Sequence, residues 1–184
     1  MKILGVEGSP RNNGNTEKLV KTILESASEN GAQTAFYKLT EMNISLCLGC
    51  FNCRKTGACV TNDDMQLLHK EIQASDAIII GSPVYMWQVS GQTKLFMDRL
   101  LPFIKPDFTT RLNGKKRLFM VFTQGNPDKN SFKPYFEYIE NLFSFLHYDV
   151  KDTIVATGTR EKNDILDQTD MLEKAREIGK NLVV

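Results

Sequence analysis

Short apolar runs of strand length alternate along the chain with stretches of helical periodicity. Residues 2–6 form an apolar run that closes just before Gly8 and predicts a buried strand. Over 15–30, Leu19, Val20, Ile23, Leu24 and Ala27 share one helical face. The same reading predicts strands at 34–39, 76–81, 116–123 and 150–157, and helices at 62–74, 90–101, 131–147 and 168–182. Asp63 and Asp64 fall in the first turn of the 62–74 helix, where acidic groups complement the helix dipole. Ala77-Ile78-Ile79-Ile80 and Leu118-Phe119-Met120-Val121-Phe122 are apolar on both faces. Such strands between amphipathic helices mean an α/β fold with a parallel sheet covered on both sides. No internal repeat interrupts the pattern, so one domain over 1–184 is expected, with a loop at 46–61 after the second strand.

Ligands of such sheets bind at the carboxyl ends of the strands, near the reversal of strand order. The loop after the first strand reads Gly8-Ser9-Pro10-Arg11-Asn12-Asn13-Gly14-Asn15-Thr16 and opens a helix. Helix-start N–H groups, the Ser9 and Thr16 hydroxyls and the Arg11 guanidinium suit an anion. The spacing is not that of a Walker A loop, and Asn15 stands where its lysine would be, so a monophosphate is the better guest. The plainer alternative is a Gly/Asn-rich turn with Asn15 as a helix cap. The loop after the third strand, Gly81-Ser82-Pro83-Val84-Tyr85-Met86-Trp87-Gln88, holds the only tryptophan. Large apolar groups in a loop point to a planar ligand or to subunit packing. The fourth strand ends in Thr123-Gln124-Gly125, whose small and polar groups let backbone donors approach a ring edge; a plain turn is the alternative.

Composition narrows the partners. The net charge is +1 and the longest basic run is Lys115-Lys116-Arg117, which argues against nucleic-acid binding by counterion release. No apolar run approaches the ~20 residues of a membrane span, and the N-terminal run carries Glu7, unlike a signal peptide. A reducing, cytoplasmic location is therefore expected, in which four cysteines serve metal or redox chemistry sooner than disulfides. His69 and His147 lie far apart, on predicted helices, and read as structural residues.

Three segments together carry a resemblance. Gly8-Ser9-Pro10-Arg11 with Gly14-Asn15-Thr16, then Gly81-Ser82-Pro83-Val84-Tyr85, then Lys94-x-Phe96-x-Asp98-Arg99 resemble the NADPH-dependent FMN reductase group of flavodoxin-like proteins. Within that group the chain is similar to the iron–sulfur flavoproteins, in which a compact four-cysteine motif follows the second strand and ends in Asp-Asp-Met, here Asp63-Asp64-Met65. The resemblance covers roughly residues 1–125. It implies a five-stranded parallel sheet in the order 2-1-3-4-5. It implies FMN, with its phosphate on Ser9, Arg11, Gly14, Asn15 and Thr16 and its ring bordered by Pro83, Val84, Tyr85, Met86 and Trp87 and by Thr123, Gln124 and Gly125. It also implies NAD(P)H as donor, a quinone, azo compound or flavin as acceptor, and a homodimer or homotetramer. The flavin itself carries the chemistry, so no catalytic side chain is expected.

Cys47, Cys50, Cys53 and Cys59 follow C-x2-C-x2-C-x5-C. Three cysteines in seven residues wrap one compact corner, as in ferredoxin loops. With the resemblance, this spacing points to a [4Fe–4S] cluster that takes electrons from a ferredoxin-like partner and feeds the flavin. Zinc, a redox-active thiol pair and four metal-free thiols are the alternatives. A flavin-binding protein without turnover is the remaining functional class.

Overall fold

The computed structural model describes residues 1–183. Strand β1 (Lys2–Glu7) runs between β2 (Gln33–Lys38) and β3 (Ala77–Tyr85), parallel to both. β5 (Arg117–Thr123) lies parallel beside β3, and β6 (Asp149–Ala156) parallel beside β5. The sheet order is thus β2-β1-β3-β5-β6. Counted over the parallel strands alone, this is the expected 2-1-3-4-5. The sixth strand, β4 (Gln88–Val89), is a two-residue antiparallel partner of β3.

Period-two alternation divides the apolar side chains between two cores. Leu4, Val6, Ile78, Ile80, Met120 and Phe122 face α3 (Met65–Ala74), α4 (Gly91–Asp98) and α5 (Lys133–Phe145). Ile3, Ile79 and Val121 face α1 (Asn15–Glu29) and α6 (Thr169–Val183). Each fully buried aliphatic or aromatic side chain contributes about 1.5–3 kcal/mol. These layers fix where the carboxyl ends of the strands stand. Among the described residues no helix is long and apolar enough to cross a membrane.

Four elements differ from the sequence expectation. β3 does not stop at Gly81; it continues to Tyr85, with Ser82 and Pro83 in register with Phe122 and Thr123. The expected loop is therefore a strand plus a two-residue turn at Met86-Trp87, both with positive φ (46° and 67°), the backbone sign of tight hairpin turns. The helix expected from 62 starts at Met65; Asp63 lies just before it, where its carboxylate accepts the Met65 N–H and pairs with the buried Arg99. An additional short helix, α2 (Asn52–Thr56), sits inside the cysteine loop. His147 lies just past α5, with φ of 67°, where it ends the helix instead of extending it.

Candidate functional site

The carboxyl ends of β1, β3, β5 and β6 enclose a cavity of about 260 Å³. Ser9, Arg11, Asn15 and Thr16 come from the loop after β1 and the start of α1. Pro83, Val84 and Tyr85 come from the end of β3, and Thr123 and Gly125 from the end of β5. Nine of the thirteen residues expected from sequence therefore line one cavity. Thr159 and Arg160, just beyond β6, complete it.

The other four lie elsewhere. Gly14 is the N-cap of α1, and a Cβ there would meet Arg11 Cβ at 3.0 Å and Arg11 O at 3.2 Å, so a side chain fits only if Arg11 shifts by a few tenths of an ångström. Gln124 is buried beneath the rim; its Nε2 donates to the carbonyls of Asn126 (3.1 Å) and Asp128 (2.9 Å), and its Oε1 has no partner. Met86 and Trp87 form the exposed hairpin tip, 85% and 67% accessible. Trp87 stacks edge to face with Phe132, ring centres 6.2 Å apart.

Hydrogen bonds brace the cavity. The Thr16 and Thr123 hydroxyls bond at 2.7 Å, tying α1 to β5. Asn15 is not a cap: its Nδ2 donates to Glu161 O (2.7 Å) and its Oδ1 accepts from Ile165 N (3.2 Å), fixing the segment after β6. The first-turn amides of α1 have no intrahelical acceptor and stand at the positive end of the helix. These amides, two hydroxyls and two guanidiniums against no lining carboxylate make a donor set for an anion. Beside it, Pro83, Val84 and Tyr85 offer an apolar wall.

A buried charge array holds the loop from behind. Lys38, at the end of β2, pairs with Glu17 at 2.9 Å, and its Nζ also donates to Arg11 O (3.2 Å) and Asn12 Oδ1 (2.7 Å). Burial pushes the Glu17 carboxyl up, but hydrogen bonds from Lys21, Lys38 and the Asn13 amide outweigh it and bring the pKa down to about 2. Glu7 is fully buried; its Oε1 accepts the Ser9 N–H at 2.8 Å and its Oε2 has no partner. Burial raises its pKa to about 7.

The four cysteines lie on the loop between β2 and α3. Cys47 and Cys50 are exposed, Cys59 is half-buried and Cys53 is buried in α2. Burial pushes the Cys53 thiol up, and the charges of Cys59, Cys47 and Cys50 add to this. Cys53 thus lies in the field of the other three sulfurs. Among the described residues, however, no three His, Cys, Asp or Glu side chains gather as a metal-ligand set. Arg99, 1% exposed, clamps the loop: Nη1 donates to Ser45 O (2.7 Å) and Asp63 Oδ2 (2.7 Å), and Nη2 to Asp63 Oδ1 (3.0 Å) and Cys59 Sγ (3.4 Å). Arg54 of α2 donates to the carbonyls of Lys105 and Pro106, and its guanidinium lies 4.4 Å from the centre of the Phe108 ring.

Sequence reasoning missed Thr159, Arg160, Glu7 and Lys38. The signal for the first two was Gly158-Thr159-Arg160 directly after the last strand, at the same sheet edge as the other loops. Glu7 was visible as a charge closing an apolar strand just before Gly8-Ser9.

The parallel order, with its reversal between β1 and β3 and an anion-suited cavity at that point, defines a flavodoxin-like α/β protein. The chain belongs to the NADPH-dependent FMN reductase family, whose pattern matches residues 1–129. It is 42% identical over 102 residues to an iron–sulfur flavoprotein of Methanocaldococcus jannaschii, a match covering 55% of this chain and 53% of that one. The chain spans about half the length of the curated relatives it matches at this level. Among solved structures it superposes on an NAD(P)H:quinone oxidoreductase from Methanothermobacter marburgensis with a TM-score of 0.80 at 15% identity, covering 99% of this chain and 96% of that one. An FMN-dependent NADH-azoreductase of Bacillus anthracis, solved with FMN, gives 0.76 at 15% identity, covering 100% of both chains. At such identities the two structures share the fold.

Proposed function

We propose that this chain binds FMN in the cavity at the carboxyl ends of β1, β3, β5 and β6 and works as an NAD(P)H-dependent oxidoreductase. The observation that carries the reading is the cavity itself. Its donor set of Ser9, Arg11, Thr16 and the α1 amides fits a phosphate, and the adjoining Pro83, Val84 and Tyr85 fit a flat ring. Bound FMN would supply hydride and electron transfer between a nicotinamide and an acceptor such as a quinone or a flavin. The chain's own residues position that group. Lys38 holds the Arg11 carbonyl and the Asn12 side chain, and the Thr16–Thr123 bond fixes the helix start against the sheet. The reading includes a single domain and a homo-oligomer, dimer or tetramer, in which the exposed Met86–Trp87 tip is covered.

The experiment is a fluorescence titration with FMN of the wild type and of Arg11→Ala/Thr16→Ala. Two lost hydrogen bonds to a charged group are worth roughly 1.5–3 kcal/mol each, so the double variant binds FMN at least tenfold more weakly. Unchanged affinity removes this loop from the site.

A second reading makes the loop holding Cys47, Cys50, Cys53 and Cys59 an iron–sulfur site served by a ferredoxin-like donor. Cys53 lying in the field of the other three thiols supports it, as do relatives named iron–sulfur flavoproteins. The donor chemistry fits a [4Fe–4S] cluster, while the sulfurs do not converge as ligands in this structure, so no electron step is routed through them. Iron and acid-labile sulfide in anaerobically reconstituted protein test it: values near zero, or zinc in place of iron, end this reading and leave the FMN reading intact.

A further inference from the structure

The segment after β6 forms the last wall of the cavity, and the chain holds it in place at four points. Thr159 donates to Gln124 O through both its N–H (2.9 Å) and its hydroxyl (3.1 Å). Asn15 Nδ2 donates to Glu161 O at 2.7 Å, and Arg11 Nη1 to Arg160 O at 2.5 Å. Arg160 Nε donates to Gly125 O at 3.0 Å. A Cβ at Gly125 would meet Arg160 Cγ at 3.2 Å, so the arginine stem lies directly over that glycine.

This bracing leaves charge over. Arg160 spends only Nε on the protein; among the described residues its Nη groups make no hydrogen bond. Neither Arg11 nor Arg160 has an ion-pair partner among the described residues, and no Asp or Glu lines the cavity. Two guanidiniums fixed at one small cavity raise its positive potential, which an anionic ligand relieves.

We infer that Arg160 is a specificity-determining residue, which makes the cavity select the phosphorylated flavin over the unphosphorylated one. The inference rests on the FMN reading and adds to it a residue outside the loop after β1. Arg11 supplies one cation from that loop. Arg160 supplies the second from the segment after β6, its backbone and Nε held so that little freedom is lost on binding.

The test titrates wild type, Arg160→Gln and Arg160→Lys with FMN and with riboflavin at two salt concentrations. Wild type is expected to prefer FMN. Arg160→Gln should weaken FMN by about tenfold, the scale of one charge-assisted hydrogen bond, and leave riboflavin within about twofold. Its FMN affinity should also depend less steeply on salt. Arg160→Lys, which keeps the charge, should recover part of the preference. If Arg160→Gln keeps the wild-type preference, or loses FMN and riboflavin equally, the inference is overturned while FMN binding stands. If the wild type binds neither flavin, the cofactor reading fails and this inference falls with it.

Discussion

Asp63 and Arg99 form a two-pronged ion pair, Nη1 to Oδ2 at 2.7 Å and Nη2 to Oδ1 at 3.0 Å, in which both side chains are almost wholly buried. The pair joins the end of the cysteine loop to the end of α4. Asp63 also accepts the N–H groups of Ser45 (2.9 Å) and Met65 (3.1 Å), so one carboxylate gathers both ends of the loop. Burial raises the Asp63 pKa, but the hydrogen bonds from Arg99 and the Ser45 amide outweigh it and lower the pKa overall.

Removing one partner of such a pair strands the other charge. Asp63→Asn, nearly isosteric, is expected to cost about 3–5 kcal/mol in chemical denaturation. Limited proteolysis should cut the variant first between residues 45 and 63. A cost below about 1 kcal/mol would place the pair among ordinary surface bridges.

Glu7 sets a pH dependence of definite sign. Its folded pKa of about 7 lies above the ordinary 4.5, so between these values the native state holds a proton that the unfolded state has lost. Its contribution therefore falls as pH rises through that window and is flat above it. Glu17 acts in the opposite sense: its pairing, fully present above 4.5, is lost as pH falls toward about 2. Glu7→Gln should remove the decline between pH 5 and 7 and gain up to about 3 kcal/mol at pH 8, from 1.36 kcal/mol per unit. Parallel stability curves for variant and wild type across this range would contradict it.

Lys38 does not line the cavity, yet it holds the carbonyl of Arg11 and the side chain of Asn12. Lys38→Met removes the buried one of Glu17's two cations, leaves Lys21 at 2.6 Å, and frees the loop. Stability should drop by about 1.5–3 kcal/mol, the scale of a lost charged hydrogen bond, because Lys21 still pairs with Glu17. FMN affinity at a pH and temperature where the variant is folded should drop roughly tenfold, about the worth of one charged hydrogen bond. Calorimetry and flavin titration on the same samples separate the two effects.

The Met86–Trp87 tip makes few contacts within the chain. Losing the Trp87–Phe132 stack costs about 0.5–1.5 kcal/mol, and glycine at a positive φ recovers about as much. Trp87→Gly should therefore leave protomer stability within about 1 kcal/mol while weakening self-association in sedimentation. A wild type that sediments as a monomer at micromolar concentration would remove the subunit role of this tip.

The parallel α/β sheet and most of the cavity were legible from local signals, while the strand order came with the resemblance to flavodoxin-like proteins. Apolar runs such as Ala77–Ile80 can only be central strands, and the glycine, hydroxyl and amide groups after β1 and β5 mark backbone exposed to a ligand. What stayed hidden depends on contacts distant in sequence. Arg160 reaches Gly125 across 35 residues, Lys38 reaches Glu17 across 21, and Arg99 reaches Asp63 across 36. The extension of β3 through Pro83 was hidden for a related reason. A turn composition at 81–83 is overridden by pairing with Phe122 and Thr123, which only the assembled sheet supplies.

The central claim is that this cavity holds FMN and that the bound flavin takes electrons from a nicotinamide. The most direct measurement is the absorption spectrum of the FMN-loaded protein under anaerobic conditions as NADH or NADPH is added. The account predicts that the oxidised-flavin band bleaches stoichiometrically and returns when a quinone is added, and that Arg11→Ala/Thr16→Ala, which holds less flavin at the same concentration, shows a proportionally smaller change on the protein. A loaded protein whose flavin band stays unchanged with both nicotinamides would contradict it.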